Sequence, residues 1–326
     1  MASPDPTAPA PRHPTAFGQF FDQAGMLLVL ALLFIGCSLG VDNFFSWVNM
    51  KGLALSVSMT GMVACTMLFC LAAGDFDLSI GSVVACAGVI AAVVMNRSNS
   101  IAAGVLTALA FGAVVGACNG FVVAKLKINA LITTLATMQI VRGLGFIVSG
   151  GSAVGIGHES FFWLGNSAML GVPTPVWITA LCFAVFGFIL NRTVFGRDTL
   201  AVGGNAEAAH LAGISVERVK LTIFTAQGMM AAFAGIVLAS RVTSGQPNTS
   251  QSFELDVISA CVLGGVSLTG GIGSMGFVIA GVLIMGIVRN AMNLMNVPTF
   301  YQYVASGLIL LAAVLFDRWK SRKQRR

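Results

Sequence analysis

Several groups of polar residues in this chain have the types and spacing to do chemistry, and that chemistry is hydrogen bonding rather than bond making. Arg289, Asn293 and Asn296 recur at i, i+4 and i+7, which places them in one stripe along a helix. Amides and a guanidinium hydrogen-bond hydroxyls without requiring a charged partner. The stripe therefore suits the wall of a pathway for a neutral, hydroxylated solute. Its plain alternative is interhelical hydrogen bonding, and an arginine inside an apolar run tilts the balance towards function. Thr133, Thr134 and Thr137 share a second face, with Gln139 and Arg142 roughly opposite. Threonines in such helices bond their own backbone carbonyls, which is the favoured reading for them. Arg142 needs a partner, and Asp75 or Asp77 is available to supply it. Asp77 reads better as the N-cap of the helix that follows it. Asn119 and Gln227 stand alone and read as structural glue.

A third group is the segment Gly203-Gly204-Asn205-Ala206-Glu207-Ala208-Ala209-His210-Leu211-Ala212-Gly213. It is polar and helix-prone where nearly everything else is apolar. Alanines on one side of a short helix can enter a groove on another protein. Glu207 near the helix start is favoured by the helix dipole, and Gly213 lets the chain turn back. The segment reads as a docking helix for a separate soluble partner that supplies energy. The alternative is a surface helix with a capping acid. A fourth group comprises Lys51, Arg97 and Arg241, with Arg241 beside Ser244-Gly-Gln-Pro-Asn-Thr-Ser250. Cations in such loops are usually incidental, and Arg241 is the best candidate among them for contact with an acidic partner surface. His158 and Glu159 read as solvated loop residues rather than a proton pair.

Other chemistry is excluded by what the chain lacks. There is no Gly-x-x-x-x-Gly-Lys-Ser/Thr to wrap phosphates, no His-Glu-x-x-His and no Gly-x-Ser-x-Gly. The chain is therefore expected to be no enzyme and to carry no metal or cofactor of its own. Its seven cysteines all lie in apolar runs without a Cys-x-x-Cys pair, and read as small buried hydrophobes. The net charge of +6 does not imply nucleic acid, because six basic residues fall between Arg318 and Arg326.

These groups must be positioned by membrane helices. Of 326 residues, 56% are hydrophobic and only 9% charged, far below the roughly 25% of soluble domains. The 38 glycines allow close helix approach in lipid. Apolar runs near 26–41, 52–73, 78–95, 101–124, 128–149, 173–190, 218–240, 272–296 and 299–316 are long enough to cross about 30 Å of hydrocarbon. The run 256–268 is too short for a regular span and counts as a tenth, irregular one. Thirteen basic residues then fall on the side of the termini, three on the other side and two within spans. By the positive-inside rule, both termini and the Glu207 loop are cytoplasmic in a multi-pass membrane protein surrounded by lipid. Residues 1–20, rich in Pro and Ala and without the apolar core of a signal peptide, are expected to be disordered. They precede a transmembrane unit over 21–317, with its loop at about 196–217, and a basic tail at 318–326. Cys70-Leu-Ala-Ala-Gly74 and Cys261-Val-Leu-Gly-Gly265, each followed by a Gly-Ser, look alike. An internal repeat and shared glycine abundance both account for that.

The Glu207 segment resembles the Glu-Ala-Ala-x-x-x-Gly loop of ABC importer permeases, with Ile223 ten residues after Gly213 and Thr225-Ala226 where that pattern has Leu-Pro. Gly74-Asp-Phe-Asp-Leu-Ser-Ile-Gly81-Ser82, Asn129 to Gly143 and Leu263 to Gly273 resemble signatures of ribose-type carbohydrate permeases. With Val154-Gly-Ile-Gly-His-Glu-Ser-Phe-Phe162, the wording is most similar to the arabinose branch. The resemblance covers residues 20 to 320. It implies an all-α, polytopic fold of about ten transmembrane helices with a short cytoplasmic coupling helix. It also implies a homodimer, two ATPase subunits below and a periplasmic sugar-binding protein above. Glu207, Ala208, Ala209 and Gly213 would couple to the ATPase, and Arg241 would meet the binding protein. Arg289, Asn293, Asn296, Thr133, Thr137 and Arg142 would line a path for L-arabinose, with ribose, xylose or galactose as alternatives. An ion-coupled secondary transporter is a rival reading, but it needs a titratable residue at mid-membrane, and Asp75 and Asp77 are the nearest. An intramembrane enzyme or passive channel is a further rival, one that gives the docking loop no purpose.

Overall fold

The computed structural model describes the backbone of residues 16–324 and the side chains of residues 25–315. Its helices are α1 (Ala16–Gly40), α2 (Trp47–Ala72), α3 (Ile80–Ser98), α4 (Ile101–Ala124), α5 (Ala130–Ser149), the short α6 (Trp163–Asn166), α7 (Thr174–Arg192), α8 (Val194–Gly204), α9 (Ala206–Leu211), α10 (Val216–Arg241), α11 (Phe253–Leu263), α12 (Met275–Leu294) and α13 (Thr299–Gln324). A single 3-10 turn (Glu159–Phe162) and two two-residue pairings complete the secondary structure: β1 (Val154–Gly155) with β4 (Ser244–Gly245), and β2 (Ala168–Met169) with β3 (Val172–Pro173). Seven helices, α2, α3, α4, α5, α7, α10 and α12, are long and apolar enough to cross a membrane, and α1 and α13 carry shorter apolar stretches at Gly25–Gly40 and Thr299–Leu315. The protein is an all-α polytopic membrane protein. Residues 1–15 of the N-terminus expected to be disordered lie outside the described residues, and α1 is already helical at Ala16. Side chains of the basic tail also lie outside them.

The core gathers on α10, which packs against α2, α3 and α4. Its small residues make that possible. A side chain at Gly228 would overlap the Gly112 backbone, and one at Gly235 would overlap the carbonyl of Val84. Lipid offers no hydrophobic reward for helix association, so backbone-to-backbone dispersion along this seam takes that role.

The apolar run expected at 256–268 is instead an eleven-residue helix, α11, starting at Phe253 and followed by a non-helical connection, 264–274. Its end repeats the end of α2. Gly74 and Gly265 both adopt positive φ (81° and 73°). Asp75 N donates to the Cys70 carbonyl at 2.9 Å, and Val266 N to that of Cys261 at 3.1 Å. Gly74 N reaches Leu71 and Gly265 N reaches Val262. These are twin Schellman caps, which need glycine because left-handed backbone strains any residue with a Cβ. The alike stretches therefore share a cap, but the likeness stops there. Gly81-Ser82 lie in the first turn of α3, whereas Gly273-Ser274 precede α12.

The chain from β4 to α11 descends into the bundle. Gly245 sits against Gly88 of α3, and the Ser250 carbonyl and Glu254 carboxylate occupy the space a side chain at Gly81 would need. Seven residues of helix separate Gly88 from Gly81, a descent of about 10 Å.

Candidate functional site

At the foot of that descent, an open cleft of about 590 Å³ lies beside the start of α11. Ser56, Met59 and Thr60 of α2 form one wall, and Asn248, Thr249, Ser250 and Gln251 of the descending segment another. Phe253 and Asp256 of α11, Arg289 of α12 and Tyr303 of α13 close it. Ser56 and Thr60 fall near the middle of α2, so the cleft is at mid-bundle depth. Asp256 and Arg289 are its charged members. Arg289 Nη1 donates to Asp256 Oδ2 at 2.9 Å and Nη2 to Oδ1 at 2.6 Å, a bidentate fork that fixes both side chains. The Arg289 side chain keeps 41% of its surface accessible, against 17% for Asp256. Asp256 and Glu254 fall in the first turn of α11, where a carboxylate is favoured by the positive end of the helix dipole.

Asp256 is the mid-bundle acid that the composition of the spans left unseen; its signal was an acid opening the one apolar run too short to cross. The proposed stripe around Arg289 does not form. Asn293 accepts from Gln302 Nε2 at 2.8 Å and so ties α12 to α13. Asn296 lies beyond the end of α12 with φ 55°, because the helix stops at Leu294. Arg289 alone reaches the cleft.

Arg142 finds its partners in the main chain rather than in Asp75 or Asp77. Its Nη1 donates to the carbonyls of Pro247 (2.9 Å) and Thr249 (2.7 Å), and Nη2 to that of Ser250 (3.4 Å). It thereby satisfies three carbonyls of a non-helical segment at membrane depth, which lipid could not do. Asp75 pairs instead with Lys220 at 2.8 Å. Burial pushes the Asp75 carboxyl above its ordinary range, and the lysine pulls it back. Asp77 is not the N-cap of α3. That place falls to Ser79, whose N–H and Oγ–H both donate to Asp77 Oδ1 (2.9 and 2.6 Å). Asn119 is not alone either: it donates to Ser79 Oγ at 3.1 Å and accepts from Thr137 Oγ1 at 2.6 Å. The chain Asp77–Ser79–Asn119–Thr137 joins the starts of α3 and α5 to α4. Thr133 and Thr134 bond the carbonyls of Asn129 (3.0 Å) and Ala130 (2.9 Å) in their own helix, as expected. None of these threonines lines the cleft.

The Glu207 segment forms α9, capped by Asn205, whose side chain accepts from Ala208 N at 3.0 Å. Gly213 follows with φ 87°. Glu207, Ala208 and Gly213 are exposed, and so is the apolar Leu211 at 83%. Ala209 is buried and faces the bundle, so it anchors α9 rather than offering a contact. Just before it, α8 ends against the bundle. Gly203 abuts the Ala72 carbonyl at the end of α2 and the Gly270–Gly271 turn, and Gly271 N donates to that same carbonyl at 2.8 Å. Thus α8, the end of α2 and the connection after α11 meet in one three-way contact. At the other end, Arg241 closes α10, half-buried with its backbone against Gly165. His158 Nε2 lies 3.1 Å from Asn99 Oδ1.

Comparison with known proteins places this architecture. Residues 49–314 match the family model described as branched-chain amino acid transport system / permease component. The L-arabinose transport system permease protein AraH of Escherichia coli (strain K12) is 61% identical over 97% of this chain and 96% of its own length. The L-arabinose ABC transporter permease protein AraH of Azospirillum brasilense is 50% identical over 99% and 95%. The ribose import permease protein RbsC of Escherichia coli (strain K12) is 36% identical over 92% and 94%. No solved structure matches. With a polytopic helical bundle, a polar mid-bundle cleft, an exposed capped helix between α8 and α10 and these relatives along nearly its whole length, the chain belongs to the branched-chain amino acid transport system / permease component family.

Proposed function

We propose that this chain is the membrane-spanning permease of an ATP-driven ABC importer that carries L-arabinose across the inner membrane, with hydrolysis on a separate ATPase subunit. The observation that carries the mechanism is the shared contact of α8 with α2 and the connection after α11. Both α2 and α11 line the cleft, through Ser56, Thr60 and Asp256, and the far end of α2 and the connection that follows α11 meet Gly203. A displacement of α8 and α9 by closing ATPases is thereby delivered to two walls of the cleft. Glu207, Ala208, Leu211 and Gly213 form the surface offered to the ATPase. The charge distribution supports cytoplasmic termini and a cytoplasmic α8–α9, which leaves the β1–β4 end, with Arg241, towards a periplasmic sugar-binding protein. An open polar cleft is costly against lipid, and this supports a second copy of the chain facing it. The substrate assignment draws on the AraH relatives, with ribose the alternative offered by the more distant RbsC. The acids that an ion-coupled transporter would need are already held, Asp75 by Lys220, Asp77 by Ser79 and Asp256 by Arg289.

The test is uptake of radiolabelled L-arabinose by proteoliposomes holding the chain, its ATPase and its binding protein, with and without ATP on the nucleotide-facing side. Uptake requiring all components supports the importer. ATP-dependent uptake of ribose, xylose or galactose alone corrects the substrate. Flux without ATP or partners overturns the mechanism.

A further inference from the structure

Resting on the importer reading, we propose that the cleft at the start of α11 is a pentose-binding site in the permease itself, with the Asp256–Arg289 pair as its polar grip and Tyr303 as its ring platform. The bidentate fork holds two charged groups at one fixed place along the pathway, an arrangement suited to holding a hydroxylated solute there as well as passing it. Three observations point to a site. The volume, about 590 Å³, falls within the roughly 300–1,000 Å³ of small-molecule sites. The pair leaves hydrogen-bonding capacity facing the cleft: Arg289 uses its donors on Asp256 and, at 3.5 Å, on Ser306 Oγ. A guanidinium has five N–H donors, and a carboxylate accepts about four hydrogen bonds, so both partners retain groups for vicinal hydroxyls. Tyr303, 57% exposed and lining the cleft, can lie against the C–H face of a sugar ring. Thr60 and Gln251 add neutral donors and acceptors from opposite walls. The positions of these groups relative to the fork make the site sensitive to hydroxyl stereochemistry, because a hydroxyl aimed the wrong way leaves a desolvated partner unpaired.

The experiment is equilibrium binding of radiolabelled L-arabinose to the purified permease–ATPase complex without its binding protein, with D-arabinose as competitor, run beside the complete uptake assay. The expected result is saturable binding that the enantiomer competes for at least about tenfold more weakly. Thr60→Val and Tyr303→Ala, judged on monodisperse complexes, should each weaken binding about tenfold, and Asp256→Asn by more, since hydrogen bonds to charged groups are the stronger ones. Should Asp256→Asn fail to assemble, the other two variants carry the test. Active ATP-dependent uptake without saturable binding, or binding that ignores Thr60→Val and Tyr303→Ala, overturns the site while leaving the importer intact. Absence of ATP-dependent uptake of any pentose overturns the importer reading instead, and the binding arm still reports separately on the cleft.

Discussion

Gly203 and Gly204 are adjacent glycines at the end of α8, and replacing each with alanine should have opposite consequences. A Cβ at Gly203 would overlap the Ala72 carbonyl oxygen and come within 2.6 Å of the Gly271 nitrogen; at Gly204 it would meet nothing within 4 Å. Overpacking costs about 1–3 kcal/mol. Prying Gly271 from the Ala72 carbonyl forfeits a further hydrogen bond of about 1 kcal/mol. Better helix propensity returns at most about 1 kcal/mol at either position. Gly203→Ala should therefore destabilise by about 1–3 kcal/mol, and Gly204→Ala should be neutral or slightly stabilising. The functional effect should be sharper, because the displaced contact is the one joining α8 to both cleft walls. In proteoliposomes, Gly203→Ala should lower the sugar carried per ATP hydrolysed, with Gly204→Ala matching the native ratio. Melting of the purified complex and the transport-to-hydrolysis ratio are the two readouts. Identical behaviour of the two variants in both would refute the linkage.

Lys220→Met strands Asp75 with 10% exposure, at a cost of about 2–3 kcal/mol, below the about 3–5 of a fully buried pair. Burial raises the folded-state value of Asp75 above the unfolded one near 3.9, so the folded variant binds the extra proton. Its deficit should be smallest at low pH and grow as pH rises through that raised value; a pH-independent melting deficit would contradict this. Thr137→Val removes the donor to Asn119 and should cost about 1–2 kcal/mol, read as a lower melting temperature, with Thr133→Val milder because Thr133 bonds only its own helix. Arg142→Lys retains the charge but not the fork, and should loosen residues 247–250, seen as faster protease cleavage there along with slower uptake. Glu207→Lys should insert normally yet lose ATP-driven uptake; a normally transporting variant would remove α9 from the coupling role.

What could be read from residue types was whatever depends on near neighbours. The long helices follow from apolar runs and the self-bonding of Thr133 and Thr134 from i−4 geometry, while the likeness of Cys70 to Gly74 and Cys261 to Gly265 was visible without the shared helix cap that causes it. Partners distant along the chain were not legible. Arg142 meets backbone carbonyls more than a hundred residues away, and a carbonyl leaves no trace in residue identity. Asp75 and Lys220 form an ordinary pair that only the fold brings together. The Arg289 stripe failed because periodicity assumes the helix continues, and α12 ends before Asn296. Ala209 turned inward for a similar reason: composition does not say which side of a six-residue helix the bundle will take.

The brevity of α11 bears on how the chain is made. Its eleven residues extend about 16 Å, half of the hydrocarbon thickness, and the connections on either side expose peptide groups that lipid cannot satisfy. This stretch therefore cannot be delivered into the bilayer as an independent span during synthesis. It has to remain in a sheltered, hydrated setting until α12 emerges to pack against it and Arg142, made more than a hundred residues earlier, can cap the segment before it. The order of biogenesis follows: six of the seven membrane-length helices settle before the last quarter of the chain, and a nascent chain halted after α11 is the form that membrane quality control should recognise and remove.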